Sequence, residues 1–162
     1  MEAEKMKSLL ISLISLFTVC AYAGDNSTEI RTKGSSTVIY IDQIGTGNVA
    51  RVWCGLSEGN YNTHNCSNAT IDIDQDGTDN IARAYSQVAN HTGNEYKIDQ
   101  DGNDNFGYID ADDDSNDMDI IQDGNNNDAE IYMQGDDNVY KITQTGDDKE
   151  GEIRAFGDDS EF

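Results

Sequence analysis

From residue 94 onward, apolar and small side chains take every second position, and the alternation resets on an 11-residue beat. Asn94, Asn105, Asn116, Asn127, Asn138, Lys149 and Ser160 mark the beat, and Gly102, Gly124, Gly135, Gly146 and Gly157 each stand three residues ahead of a mark. Four residues after the first six marks come Ile98, Ile109, Ile120, Ile131, Ile142 and Ile153. Two residues after them, large and small alternate as Tyr96, Gly107, Met118, Ala129, Tyr140 and Gly151. Glutamine follows only in every second unit, at Gln100, Gln122 and Gln144, with Ala111, Met133 and Ala155 between. A period of two is strand periodicity. The full repeat is therefore 22 residues, two short strands per turn of a coil.

The template runs back to Thr37, with Ile39, Ile41, Gln43, Gly45 and Asn48, then Ala50, Val52 and Cys54. It slips by about ten residues before Cys66 and resumes at Ala69, with Ile71, Ile73, Gln75, Gly77 and Asn80, then Ala82, Ala84 and Ser86. A smaller slip of about three residues lies within 87 to 93. Five repeats over residues 37 to 160 predict an all-β fold, a flattened β-solenoid of two packed parallel sheets. Odd strands present bulky inward residues and even strands small ones, so a thick face opposite a thin one fills the space between sheets. Down the stack, Ile41, Ile73, Ile98, Ile120 and Ile142 form an unbroken core column. Gln43, Gln75, Gln100, Gln122 and Gln144 form a ladder able to bond side chain to side chain. Asn48, Asn80, Asn105 and Asn127 stand with the glycines at the tight turns, where positive φ is cheap.

The outward positions are also ordered. Tyr40, Asp72, Lys97, Asp119 and Lys141 make a column whose charges alternate in sign, which selects this register over a slipped one. Trp53, Tyr85, Asp110, Tyr132 and Arg154 make a second column, mostly of rings, fit for stacking or for holding sugars.

Net charge is −22 with no proline, a composition that would suggest disorder but for the even spacing of the isoleucines. So acidic a chain excludes nucleic acid as a direct partner. Residues 1 to 23 read as a secretory signal: Lys5 and Lys7 precede an apolar run over residues 9 to 19, and Ala21 and Ala23 suit cleavage before Gly24. The run is too short for a membrane span, and the mature chain has none. Residues 24 to 36 carry no pattern and read as a flexible leader. In an oxidising compartment Cys54 and Cys66 pair as a disulfide closing the inserted loop, worth about 3 kcal/mol.

Asp74, Asp76 and Asp79, and again Asp99, Asp101 and Asp104, bracket glycine turns as calcium loops do, although neither has the bidentate glutamate of an EF-hand. Calcium is the one candidate cofactor. No catalytic residue is assigned: acids are everywhere, and His64 and His91 sit in the inserted segments without a nucleophile at triad spacing.

The junctions Gln43, Gly45, Asn48, Ala50; Gln75, Gly77, Asn80, Ala82; and Gln122, Gly124, Asn127, Ala129 resemble the QxGxxNxA core of curlin repeats. Five repeats after a signal and a short leader is also the curlin layout. Curlin repeats usually open with Ser and close each second strand with Gln. Here Thr37, Ala69, Asn94, Asn116 and Asn138 open, while Cys54, Ser86, Ala111, Met133 and Ala155 close. The resemblance implies a secreted, divergent curlin-like subunit that polymerises head-to-tail into extracellular or cell-surface amyloid fibres serving adhesion and biofilm matrix. Its partners would be further copies of itself, other curlin-type subunits and a bacterial secretion apparatus. Major fibre subunit and minor nucleator both stay open, as does a non-fibrillar calcium-binding adhesin.

Overall fold

The computed structural model describes residues 16–22, 24–33, 36–55, 66–86, 91–92, 94–111, 117–135 and 139–156. Their elements are β-strands: β1 (Leu16–Tyr22), β2 (Ser27–Thr32), β3 (Val38–Thr46), β4 (Val49–Cys54), β5 (Cys66–Ser67), β6 (Thr70–Thr78) and β7 (Ile81–Ser86). There follow β8 (His91–Thr92), β9 (Glu95–Asn103), β10 (Phe106–Ala111), β11 (Asp117–Asp123), β12 (Ile131–Gln134), β13 (Val139–Thr145) and β14 (Ile153–Phe156). Alternate strands go to alternate sheets. One sheet has the order β1-β3-β6-β9-β11-β13 and the other β14-β12-β10-β7-β4-β2, with parallel pairing throughout. The first is called here the glutamine sheet and the second the aromatic sheet. The fold is an all-β solenoid with a 22-residue turn, as the periodicity predicts.

Register follows the template residue for residue. Ile41, Ile73, Ile98, Ile120 and Ile142 are neighbours across successive strands, as are the five glutamines. The isoleucines of this column are at most 8% exposed, and each contributes roughly 2 kcal/mol of apolar burial. Thin faces thick, as expected: a Cβ placed on Gly107 would lie 3.1 Å from Ile98 Cγ2 and 3.3 Å from Gln100 Nε2. The glycine turns differ in one respect. β3, β6 and β9 run nine residues each and carry their glycine inside the strand, because Gly45, Gly77 and Gly102 are themselves paired across the sheet.

The leader is a correction. Ser27–Thr32 is a strand, β2, paired in parallel with β4 through Thr28↔Ala50, Ile30↔Val52 and Thr32↔Cys54. Its physical basis is a half-repeat: Asn26, Thr28, Ile30 and Thr32 alternate, and Asn26 stands 22 residues before Asn48. Leu16–Tyr22, within the expected signal, lies beside β3 as Phe17↔Ile39, Val19↔Ile41 and Ala21↔Gln43. An apolar run suits an export signal and an edge strand alike. Residues 1–15 of that segment lie outside the described residues, as do 56–65 and 87–90 of the two insertions. The far ends of those insertions meet: β5 pairs with β8 as a two-stranded sheet.

Candidate assembly surface

The buried glutamines form a ladder with a direction. Gln43 Nε2 donates to Gln75 Oε1, Gln75 to Gln100, Gln100 to Gln122 and Gln122 to Gln144, each at 2.8 Å. The same nitrogens also reach backbone carbonyls of the aromatic sheet, at Ser27, Val49, Ile81, Phe106 and Asp128. Each amide is thus satisfied along the stack and across it, which is what permits its burial. The two ends are unlike. At one end Gln43 Oε1 accepts from Thr28 Oγ1 of β2 at 2.8 Å, and at the other Gln144 Nε2 donates to Asp128 O at 2.6 Å.

A second ladder runs along the turns. Asn80 N donates to Asn48 Oδ1, Asn105 N to Asn80 Oδ1, Asn127 N to Asn105 Oδ1 and Lys149 N to Asn127 Oδ1, each at 3.0 Å. Asn26 extends it toward the N-terminus by accepting from Asn48 N at 2.9 Å. The Nδ2 groups of Asn48, Asn80 and Asn105 donate to the carbonyls of Gly77, Gly102 and Gly124 in the next turn. These turns need glycine: Gly77 has φ 132°, and a Cβ there would sit 1.8 Å from Gly102 O.

The calcium candidates are distributed by the same geometry. Asp79 and Asp104 occupy left-handed positions, φ 57° and 56°, in the turns just before Asn80 and Asn105. Asp74 lies beside Asp99, and Asp76 beside Asp101, as neighbours across β6 and β9. Among the described residues, no group of three or more His, Cys, Asp or Glu side chains is arranged to hold a metal ion. Partial desolvation, then the carboxylates of Asp99, Asp42 and Asp72, push Asp74 above the ordinary carboxylate value, with Lys97 opposing. His64 lies outside the described residues, and His91, in β8, is paired through its backbone with Cys66 of β5.

On the outer glutamine-sheet face, Tyr40, Asp72, Lys97, Asp119 and Lys141 stand in one register. Lys141 reaches Asp119 at 3.9 Å, while Lys97 reaches Asp99 on its own strand at 3.5 Å. On the other outer face Trp53 stacks on Tyr85 with centroids 4.6 Å apart, and Tyr85 meets Tyr108 edge-on at 5.6 Å. Asp110 interrupts the rings by accepting from Tyr108 Oη at 2.8 Å; burial, then that bond, raises the Tyr108 pKa. Arg31 of β2 covers the Trp53 ring at 5.0 Å, a contact the flexible-leader reading misses. Cys54 and Cys66 are joined by a disulfide, with both side chains buried. Lys33, just after β2, donates to Cys54 O and accepts from Cys66 N, tying the leader to that bridge.

No curated protein and no solved structure matches the chain. The curlin associated repeat matches residues 114–146, a range that includes β11, β12 and β13. These residues carry the ladder positions Gln122, Asn127 and Gln144, so the match falls on the repeating unit itself. Over these residues the chain is similar to the curlin associated repeat.

Proposed function

We propose that this chain is a secreted structural subunit that polymerises head-to-tail into extracellular fibres of the curli type, in an adhesive or matrix role. The observation that carries the reading is the polarity of the glutamine ladder: it begins at an acceptor, Gln43 Oε1, and finishes at a donor, Gln144 Nε2. A second copy placed end to end continues both the ladder and the isoleucine column. Because the two ends are different surfaces, such docking does not close on itself and propagates as a filament. The edges of parallel sheets supply the backbone donors and acceptors for it. The curlin family is one of structural proteins, which agrees with a site built from ladders rather than from a reactive group.

The acidic surface opposes close packing until salt screens it. The test is seeded thioflavin T fluorescence of the processed chain at increasing salt, with electron microscopy of the product. Thin fibres whose growth quickens with sodium chloride are the expected result. A chain that stays monomeric at every salt concentration, and gains thermal stability only with calcium, would replace the fibre reading with that of a calcium-binding adhesin module.

A further inference from the structure

The leader strand and the last described strand carry the same motif at equivalent places in the coil. Residues 28 to 32 read Thr-Glu-Ile-Arg-Thr, and residues 151 to 155 read Gly-Glu-Ile-Arg-Ala. In both, the isoleucine belongs to the inward column of the aromatic sheet, Ile30 beside Val52 and Ile153 beside Ile131. In both, the flanking charges pair with each other, Arg31 with Glu29 at 2.5 Å and Arg154 with Glu152. The two strands sit at opposite edges of one sheet, β2 on β4 and β14 on β12.

Three contacts made by β2 specify what β4 and its surroundings accept. Glu29 faces Arg51 at 3.9 Å, Arg31 covers the Trp53 ring, and the Thr28 hydroxyl supplies the donor for Gln43 Oε1. We propose that β2 is a placeholder for β14 of a second copy, which displaces it and pairs directly with β4. In that arrangement the partner's Glu152 meets Arg51, its Arg154 covers Trp53, and its Gln144 amide takes over the donor role of Thr28.

Charge and strand count both favour displacement over addition. Stacking β14 on β2 would set Arg154 opposite Arg31 and Glu152 opposite Glu29, two like-charge pairs across one junction. Removal of β1 with an export signal would leave the glutamine sheet one strand shorter than the aromatic sheet. A copy stacking flush on β3 through its β13 would then find β2 in the place its β14 must occupy. With β2 displaced, both sheets run through the junction without a gap. The asparagine ladder is the column that does not carry over, because Lys149 brings no side-chain carbonyl to replace Asn26 at Asn48 N. The leader therefore opposes docking until a second copy competes for β4.

The inference rests on the fibre reading, and its test separates the two. Hydrogen exchange of the processed chain, recovered from an exporting host, is compared between monomer and fibre. The backbone amides of β2 are expected to be protected in the monomer and to lose that protection in the fibre, while those of β14 gain it. Swapping the leader charges, Glu29→Arg with Arg31→Glu, should shorten the lag before growth several-fold. The corresponding swap Glu152→Arg with Arg154→Glu should slow growth several-fold. Fibres in which β2 stays protected, or whose lag is indifferent to the leader swap, would overturn the placeholder and leave the fibre reading standing. Absence of fibres from every variant at every salt would overturn both.

Discussion

The two sheets of the coil pass through the same number of turns, yet they specify it differently. From β3 to β13 the glutamine sheet repeats isoleucine and glutamine at the same two positions, and each glutamine bonds to the next. In the aromatic sheet the corresponding inward positions drift, Val52, Ala84, Ile109, Ile131 and Ile153 in one column and Cys54, Ala111, Met133 and Ala155 in the next. Its distinct chemistry is outside, where Tyr85 contacts both Trp53 and Tyr108 and Arg31 lies on the Trp53 ring. A buried amide has to be satisfied in every turn, whereas an apolar side chain needs only compatible volume. The glutamine sheet thus enforces register, and the aromatic sheet tolerates variation.

The turn shared by both sheets is where a single methyl group does most damage. Gly77→Ala combines left-handed strain with a clash against the Gly102 carbonyl and should cost about 4 kcal/mol in urea unfolding followed by circular dichroism. Next is Gln100→Ala, which removes two ladder bonds, opens a cavity and leaves Gln122 Oε1 without its donor from Gln100. A loss of about 3 kcal/mol is expected, whereas the same ladder position in the aromatic sheet is already alanine at Ala111. Equal, small effects from Gln100→Ala and from a polar change at Ala111 would erase the contrast between the sheets. On the outer face Tyr85→Ala loses two ring contacts and should cost about 1 kcal/mol, with the fold unchanged by circular dichroism.

The smallest effect expected is one of pH. Asp74 has its folded pKa raised, so folding favours its protonated form. Its contribution to stability is fully present below the unfolded carboxylate value and is lost as pH rises through the raised one. Mild acidification from neutral should therefore stabilise the coil at this site, and Asp74→Asn should flatten that part of the pH profile of thermal unfolding. A steeper profile in the variant would contradict the placement of Asp74 beside Asp99 and Asp42.

What was legible in the sequence follows the same division. The glutamine sheet could be read directly, because satisfied amides and unbroken isoleucines leave a strict period in the chain. The aromatic sheet was legible through its small inward residues and its outward rings. Its first strand was not, since β2 is one half-repeat of four alternating residues with no second unit beside it to reveal a beat. Ile30 and Asn26 were the available signal, each 22 residues ahead of its counterpart, Val52 and Asn48. The pairing of β5 with β8 had no signal at all, because two residues carry no period. The acids at Asp79 and Asp104 drew attention as calcium ligands, while the backbone places them where a left-handed residue is required, a role that Gly47 and Asn126 fill in other turns.

The most direct measurement is a density map of the fibre at a resolution that separates strands about 4.8 Å apart. The expected result is a continuous glutamine sheet crossing the junction between copies, with β13 of one copy beside β3 of the next and Gln144 beside Gln43. Copies packed side by side, or joined through like ends into a closed pair, would contradict head-to-tail growth.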